Sequence, residues 1–349
     1  MTTDPLAIAR PQPSMADVAA HAGVAIGTVS NTLNNPSKVR EATRRRVLAS
    51  IAELGFVRND AARSLAVGSS TSVGLVLADL GNSFFVDIAR GVERVMRRRG
   101  MDVLIVNTDI EPTREVHNLE LLDRSRVAGI ILAPLDTPLA QSAVLPTRST
   151  PTVLVNYESP TLAYSGVTVD ERHGGSLAAE HLLTIGRRRL LFVGGPLFLS
   201  AVAKRWEGVQ QTVASHPDAT VELIETRGLN IRHGREVAKR IIAVGPGHYD
   251  AIIASSDLIA IGLVQVLNEV PGFSIPSDIA ITGYDNNHFA SESAILITTV
   301  AQPGEEMGSA AADLLLELIE KPQTSNRSVT LEPRILPRSS TLGSAWRRD

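Results

Sequence analysis

Short apolar runs alternate with amphipathic segments along most of the chain. From residue 72 onward, the runs SVGLVLADL, MDVLIVNTD, GIILAP and TVLVNY are separated by segments whose apolar residues recur at helical spacing. After GVTVDE the pattern starts again and continues through RLLFVGG, ATVELIET, YDAIIASSD and DIAITGYD. Apolar runs of strand length with helices between them predict parallel strands that are covered on both faces. Two such series predict an α/β core made of two similar halves.

The end of the chain offers enough structure to return to both halves. Thr298–Thr341 contains a strand, a helix over Glu305–Ile319 and a further strand. We therefore predict a core over residues 71–349. Its two subdomains are assigned to about 71–168 with 298–325, and to about 169–297 with 326–345.

The first 58 residues show a different pattern, that of three short helices. The predicted helices are one that opens at the S-x-x-D capping box Ser14–Asp17, one over Ile26–Leu33 and one over Glu41–Leu54. A helix-turn-helix needs a small residue where two helices cross, a turn residue that tolerates positive φ, and an apolar contact back. Ala19, Gly23 and Val29 supply these in the expected order. We predict an all-α helix-turn-helix domain over 14–58, preceded by a disordered extension over 1–13.

Charge is divided unevenly between the two parts of the chain. The whole chain carries a net charge of −3, whereas residues 1–66 carry eight basic and five acidic side chains. A basic N-terminal part on an acidic body is typical of a nucleic-acid-binding module joined to another domain. Charge runs are also common on solvated surfaces, so charge alone does not decide the matter.

The second predicted helix is small and nearly uncharged, as suits an element that enters the major groove of DNA. Hydroxyl and amide side chains can read base edges there, while cations outside the groove hold phosphates. The residues predicted on its exposed face are Ile26, Gly27, Thr28, Ser30 and Asn31. The predicted phosphate contacts are Lys38, Arg40, Arg44, Arg45 and Arg46. The alternative is a small solvated three-helix domain without a DNA partner.

A short segment follows the three helices and joins them to the core. Asn59 can cap a helix over 60–66, which is too short to be stable unless it is docked. Leu65 is its notable apolar side chain, and apolar wedges can open a minor-groove step and bend DNA. We predict a hinge helix and linker over 59–70, with simple linker packing as the alternative.

Polar side chains stand at the carboxyl ends of the predicted strands, where open α/β sheets bind ligands. These residues are Asp79, Asn82, Asp109, Asn156, Ser256, Asp257, Asp285 and Asn286. Two facing halves with amides, carboxylates and an arginine suit a polyhydroxylated ligand. The same residue types also favour turns and helix caps, which is the competing interpretation.

Several function classes are disfavoured. A G-x-G-x-x-G after the first strand, a P-loop, an H-E-x-x-H and a G-x-S-x-G are all missing, so we expect neither catalysis nor a cofactor nor a metal. Cysteine is absent, which excludes disulfides and is consistent with a cytoplasmic protein. We find no secretory signal, and no apolar run approaches the roughly 18 residues of a membrane span.

Together these segments closely resemble the LacI/GalR family of transcription regulators over about residues 14–341. The resemblance is carried by MADVAAHAGVAIGTVSNTLNN, TRRRVLASIAELGFVRNDAARSLA, GLVLADLGNSFFVDIARGVE, VAGIILAP, GVTVDERHGG, SSDLIAIGLVQ, ITGYDN and TTVAQP, in family order. It implies a homodimer on pseudo-palindromic double-stranded operator DNA, and a periplasmic-binding-protein-like core that senses a small molecule, often a sugar. It also implies hinge helices that insert leucines into the central minor groove.

By position, the resemblance assigns the exposed residues of the second helix to base reading and Asn59, Ala62 and Leu65 to the hinge. It assigns eight residues to the effector pocket: Asn82, Phe84, Phe85, Asn156, Arg205, Ser256, Asp285 and Gln302. Three positions depart from the family pattern. Ala25 replaces a capping Ser, Asn31 replaces a common Arg and so alters base preference, and Arg40 replaces a second capping Ser.

We therefore predict a ligand-responsive regulator, a repressor that senses a sugar. A regulator that depends on a purine or another corepressor is the first alternative. A solute-binding protein for transport would fit the core alone but would need an export signal. An enzyme that processes sugars or nucleotides is disfavoured by the missing motifs.

Overall fold

The computed structural model describes residues 13–56, 70–135, 150–158 and 163–343. The chain divides into two compact units, residues 1–68 and 69–349, which are treated separately below. The predicted hinge residues Asn59, Ala62 and Leu65 and residues 1–12 of the predicted extension lie outside the described ranges.

The first unit, which we call the head, contains the three predicted helices. They are α1 (Met15–Ala22), α2 (Ile26–Asn34) and α3 (Glu41–Leu54). The capping box of α1 is present, since the Ser14 backbone N–H donates to the Asp17 carboxylate at 2.8 Å and the Asp17 N–H donates to the Ser14 hydroxyl. Gly23 ends α1 with φ of 62°, a conformation that glycine adopts at little cost. Val18, Ala19, Val29 and Val47 form the buried core of the head, as the helix-turn-helix spacing predicts.

The second unit, the core, has twelve strands among its described residues. The first half holds β1 (Ser72–Leu77), α4 (Ser83–Arg98), β2 (Asp102–Asn107), α5 (Pro112–Arg124), β3 (Ile130–Leu132), β4 (Thr152–Val155) and β5 (Ser165–Val169). The second half holds α6 (Glu171–Thr184), β6 (Arg189–Gly194), α7 (Ser200–Ala214), β7 (Thr220–Glu225), α8 (Ile231–Val244), β8 (Ala251–Ala254), α9 (Asp257–Leu267) and β9 (Ala280–Asp285). The tail supplies β10 (Thr298–Ala301), α10 (Gly304–Glu320), β11 (Ser328–Leu331), β12 (Arg334–Leu336) and α11 (Ser339–Leu342).

Two six-stranded sheets form the two halves, which confirms the predicted α/β core with parallel sheets. Their orders are β11-β5-β4-β3-β1-β2 and β12-β10-β9-β8-β6-β7. Among the described strands, only the β10–β12 pair is antiparallel. Most inner strands are buried along their whole length, which explains why the sequence shows continuous apolar runs instead of alternation. In each sheet the strand order reverses beside the first strand of its series, and such a switch point opens a crevice at the carboxyl ends.

The tail strands are exchanged relative to our prediction. We assigned 298–325 to the first subdomain, but β10 pairs with β9 in the second sheet. We assigned 326–345 to the second subdomain, but β11 pairs with β5 in the first sheet. The chain therefore crosses between the halves three times, at Asp170, at Gln302 and after β11. Gln302 thus lies on one of the crossing segments.

Close helix contacts set the geometry behind the cleft. A Cβ on Gly175 of α6 would lie 2.0 Å from the backbone oxygen of Arg205, and a Cβ on Gly208 of α7 would lie 1.9 Å from that of Arg172. Only glycine allows these backbones to approach so closely. The crossing brings the first turn of α6 beside the middle of α7, and so places Glu171 next to Arg205.

Candidate functional site

The exposed face of α2 is small and polar, as the sequence predicts. Ile26, Gly27 and Asn31 are exposed, with Ile26 at 53%, while Thr28 and Ser30 are half-buried. The N-cap residue Ala25 makes no side-chain hydrogen bond, so the first turn keeps backbone N–H groups free of a side-chain cap. This face presents hydroxyl, amide and apolar groups without a charge.

Cationic side chains lie on the segments that follow α2. Lys38, Arg40 and Arg45 are exposed, and Arg44 donates to Glu41 at 2.7 Å on the same turn of α3. Arg45 Nε lies 3.6 Å from the other Glu41 oxygen with 75% of its side chain exposed. Exposed pairs of this kind are worth little, so both guanidinium groups are available to an anionic partner.

A cavity of about 80 Å³ lies at the carboxyl ends of the strands of both halves. Seven of the eight predicted pocket residues line it: Asn82, Phe84, Phe85, Asn156, Arg205, Asp285 and Gln302. The remaining lining comes from Ala78, Asp79, Ile110, Pro134, Leu135, Leu199, Ala201, Val202 and Leu229. Apolar walls with a few convergent polar groups are typical of small-molecule sites.

Asp285 is the polar centre of the cavity and joins the two halves. It accepts hydrogen bonds from Asn82 Nδ2 at 2.7 Å and from Gln302 Nε2 at 2.8 Å. Asn82 is itself the N-cap of α4, and its Oδ1 accepts from Phe84 N and from Asn287 Nδ2. Asp285 and Asn156 both have positive φ, at 99° and 58°, in a region that L residues rarely adopt. Such backbone conformations cluster at functional sites.

Arg205 is fully buried and fixed by three hydrogen bonds. Its Nε and one terminal nitrogen donate to the two oxygens of Glu171 at 2.8 and 3.0 Å, and the other terminal nitrogen donates to the Ser255 carbonyl at 2.7 Å. The same terminal nitrogen lies 3.8 Å from Asp285, and the guanidinium carbon lies 3.6 Å from the centre of the Tyr284 ring. This is a bidentate ion pair with a cation–π contact behind it.

Burial and charge shift the pKa values of these groups. Burial raises the pKa of Asp285 to about 6, against the opposing effects of Arg205, Asn82 and Gln302. Burial, together with the neighbouring Asp285 carboxylate, also raises the pKa of Asp257 well above its usual range. Burial alone would lower the pKa of Arg205, but the Glu171 and Asp285 carboxylates beside it outweigh that effect, so the pKa is raised. Arg205 therefore stays charged at neutral pH.

Gln302 offers an acceptor that the described part of the chain does not use. Its side chain is 7% exposed, its Nε2 donates to Asp285, and its buried Oε1 has no hydrogen-bond donor among the described residues. A buried polar atom without a partner costs free energy unless a ligand or water satisfies it. The cavity thus combines acceptors on Asp285 and Gln302 with remaining N–H donors on Arg205, which suits hydroxyl groups.

Ser256 does not belong to the cavity, contrary to our prediction. It is fully buried, its hydroxyl accepts from Ile259 N as the N-cap of α9, and it donates to the Leu229 carbonyl. The capping interpretation of strand-end polar residues therefore holds at this position. Sequence reasoning also missed Glu171, whose only signal was an acidic residue directly after the Asp170 cap in VDERHGG.

Among the described residues, no three His, Asp or Glu side chains lie close enough together to hold a metal ion. No helix within the described ranges is both long and apolar enough to cross a membrane.

Two family models match the chain. Residues 14–59 match the model of bacterial regulatory proteins of the lacI family, and residues 179–341 match a periplasmic binding protein-like domain. The ribose operon repressor of Bacillus subtilis is 32% identical over 333 residues, which cover 93% of this chain and 97% of the relative. The HTH-type transcriptional repressor PurR of Klebsiella pneumoniae is 27% identical over 327 residues, covering 93% and 95% of the two chains.

Solved structures agree with these relatives. A LacI family transcriptional regulator from Silicibacter pomeroyi matches with a TM-score of 0.80 at 28% identity, over 95% of this chain and 99% of the other. A LacI family regulator from Enterococcus faecalis V583 with bound ribose matches with a TM-score of 0.69 at 29% identity, over 77% of this chain and 98% of the other.

Proposed function

The chain belongs to the LacI family of bacterial transcription regulators, and from this premise we propose that it is a sugar-responsive repressor. Members of the family are DNA-binding regulators and not enzymes, in line with the missing catalytic motifs. In this proposal the head binds double-stranded operator DNA, and the cavity between the halves of the core binds the effector. Operator DNA is chromosomal, so the proposal also places the protein in the cytoplasm.

The unpartnered Oε1 of Gln302 is the observation that carries the sugar assignment. It lies beside Asp285, which accepts from two protein amides and faces the guanidinium of Arg205. The hydroxyl groups of a neutral polyol can donate hydrogen bonds to Gln302 and Asp285. They can also accept hydrogen bonds from the Arg205 N–H groups that bond to no described residue. Ribose is named for both the Bacillus subtilis relative and the Enterococcus faecalis structure, so D-ribose is the first ligand to test.

A purine corepressor is the second candidate. Phe84 and Phe85 both line the cavity, with ring centroids 5.2 Å apart and planes tilted by 59°. Either ring can cover the apolar face of a sugar or stack on a flat base. The PurR relative keeps this candidate in the comparison.

Calorimetric titration of the full chain decides between the two candidates. We expect D-ribose to bind, hypoxanthine and guanine not to bind, and Gln302→Leu to weaken ribose binding about tenfold or more, because it removes the acceptor and a partner of Asp285. Gln265→Leu is the matched control, since Gln265 is exposed on α9 and bonds to Arg235. Binding of a purine instead of a sugar would replace the first candidate by the second. Unchanged ribose affinity in Gln302→Leu would refute the assigned site.

A second copy of this chain is the proposed partner. Leu104 and Ile105 of β2 are 41% and 46% exposed, on a strand that forms one edge of the first sheet. An exposed apolar edge strand is a surface on which another chain can pack. A homodimer would cover this edge and would supply two heads for the two half-sites of a pseudo-palindromic operator.

A further inference from the structure

Glu171 is the acidic partner of the cavity's only described arginine, although it does not line the cavity itself. It is the first residue of α6, where the N-terminus of the helix favours a negative charge. Its carboxylate receives two of the five N–H donors of Arg205, and the Ser255 carbonyl receives a third. Both side chains are about 95% buried, so solvent does little to screen the pair.

The charged side chains in and around the cavity carry more negative than positive charge, which disfavours an anionic ligand. Arg205 carries one positive charge, which Glu171 compensates, and Asp285 and Asp79 then remain on the lining. Asp285 is ionised above about pH 6. An anionic group that enters this site loses its hydration and meets carboxylates, while the guanidinium that could stabilise it is already paired.

Neutral hydroxyl groups do not incur this penalty. They can accept hydrogen bonds from the two Arg205 N–H groups that bond to no described residue, and they can donate to Asp285 and Gln302. A hydroxylated ring therefore fits the cavity, whereas the same ring with a phosphate or carboxylate brings a second negative charge to the buried Asp285 carboxylate.

We infer that Glu171 sets the charge selectivity of the cavity: by holding Arg205 in a bidentate pair, it restricts the effector to neutral hydroxylated molecules and rejects their phosphorylated or acidic derivatives. Glu171 acts through Arg205 and is thus a positioning residue. The inference rests on the proposed function, because it concerns the ligand class of that same cavity.

The test compares D-ribose with D-ribose 5-phosphate by calorimetry on the full chain at pH 7.5. We expect the wild type to bind D-ribose and to bind the phosphate at least about tenfold more weakly. Glu171→Gln keeps the size and shape of the side chain but frees the charge of Arg205. We expect it to gain affinity for the phosphate and so to reduce the discrimination by about tenfold, while Glu171→Asp keeps the charge and the discrimination.

Glu207→Gln is the matched control. Glu207 lies on α7, as Arg205 does, but it pairs with the exposed Arg172 at the surface. We expect Glu207→Gln to leave the ratio of the ribose and ribose 5-phosphate affinities unchanged. If removing any nearby negative charge were enough, the ratio would change in this variant as well.

Three outcomes would overturn the inference. They are wild-type binding of the phosphate within about threefold of ribose, no gain of phosphate affinity in Glu171→Gln, and an equal gain in Glu207→Gln. The first needs no variant, so the inference stays testable if Glu171→Gln does not fold. Failure of the wild type to bind ribose would count against the proposed sugar function, and the phosphate titrations would still decide the role of Glu171.

Discussion

Arg205 is both a lining residue of the cavity and one half of a buried ion pair. Its removal should therefore affect stability as well as ligand binding. In Arg205→Ala the Glu171 carboxylate is left buried without its counter-ion, which costs about 3–5 kcal/mol of unfolding free energy. Urea denaturation measures this loss.

Arg232→Ala is the control for that measurement, because Arg232 is 83% exposed and pairs with Glu236 one turn away on α8. We expect a change within about 0.5 kcal/mol for it. If Arg205→Ala is as stable as Arg232→Ala, the buried pair does not form in solution.

The raised pKa of Asp285 has a consequence for stability. Burial raises the folded pKa to about 6 from the ordinary 3.8, so the folded state holds more protons than the unfolded state between these values. The contribution of Asp285 to stability therefore falls as the pH rises from about 4 to about 6, and it is level above that. Asp285→Asn lacks this titration.

The measurement is the difference in unfolding free energy between the wild type and Asp285→Asn at several pH values from 4 to 8. We expect the unfolding free energy of the wild type to fall relative to that of Asp285→Asn as the pH rises from about 4 to about 6. If the wild type instead gains stability relative to Asp285→Asn as the pH rises through this window, the folded pKa of Asp285 is lowered.

The sequence predicted the role of a single residue correctly where its side-chain type and its position at a strand end both indicated the same role. Asp285 is the last residue of β9 and Asn82 lies in the loop that joins β1 to α4. Both thus lie at the carboxyl ends of parallel strands, which meet at one edge. Ser256 also follows a strand end, but its hydroxyl satisfies the first turn of α9 instead of a ligand. Glu171 was missed because its role depends on the crossing of α6 and α7, a contact between distant segments that no local pattern contains.

Among the elements, α3 gives the most direct prediction for DNA binding. Arg45 is exposed there and its pair with Glu41 is long, so we expect it to hold phosphate. Arg45→Ala should weaken binding about equally on all DNA sequences and reduce the slope of log affinity against log salt by about one. Fluorescence anisotropy at several salt concentrations measures both quantities.

Arg232→Ala again serves as the control, since it removes the same charge from the other unit. A change in sequence preference at an unchanged salt slope would mean that Arg45 reads bases.

Element boundaries were predictable where caps are local, and strand partners were not. The third helix spans Glu41–Leu54 as predicted, because Gly55 can adopt the left-handed conformation that ends it. The tail strands β10 and β11 were each assigned to the wrong sheet. Both are four-residue strands that mix apolar and hydroxyl side chains, so their sequences do not indicate a partner strand. The sheet that each one joins depends on the path of the chain through α10 and on which sheet edge is open to it.

At the scale of the whole molecule, the predicted hinge joins head and core. Leu65 lies outside the described residues, so its role remains a prediction. We expect Leu65→Ala to keep weak nonspecific DNA binding but to lose operator bending, operator preference and most of the ligand effect together. The inserted leucine pair kinks the operator at a cost of roughly a few kcal/mol per step, which the added contacts of the bent DNA offset, and without the pair the kink is lost. A gel-phasing assay measures the bend, with Leu48→Ala, an exposed leucine of α3, as the control. Wild-type bending in Leu65→Ala would reduce the segment to a tether.

We expect ligand binding in the cavity and operator binding by the head to be coupled, and reciprocal affinities measure this coupling. An operator fragment selected from random DNA is titrated with the full chain by anisotropy, with and without saturating D-ribose. Ribose is also titrated by calorimetry with and without that operator. Linkage requires the two ratios to be equal, and we predict a shared change of about fivefold or more, in whichever direction ribose acts. If ribose binds in the cavity and leaves operator affinity unchanged, the two sites are not coupled and ribose is not the effector.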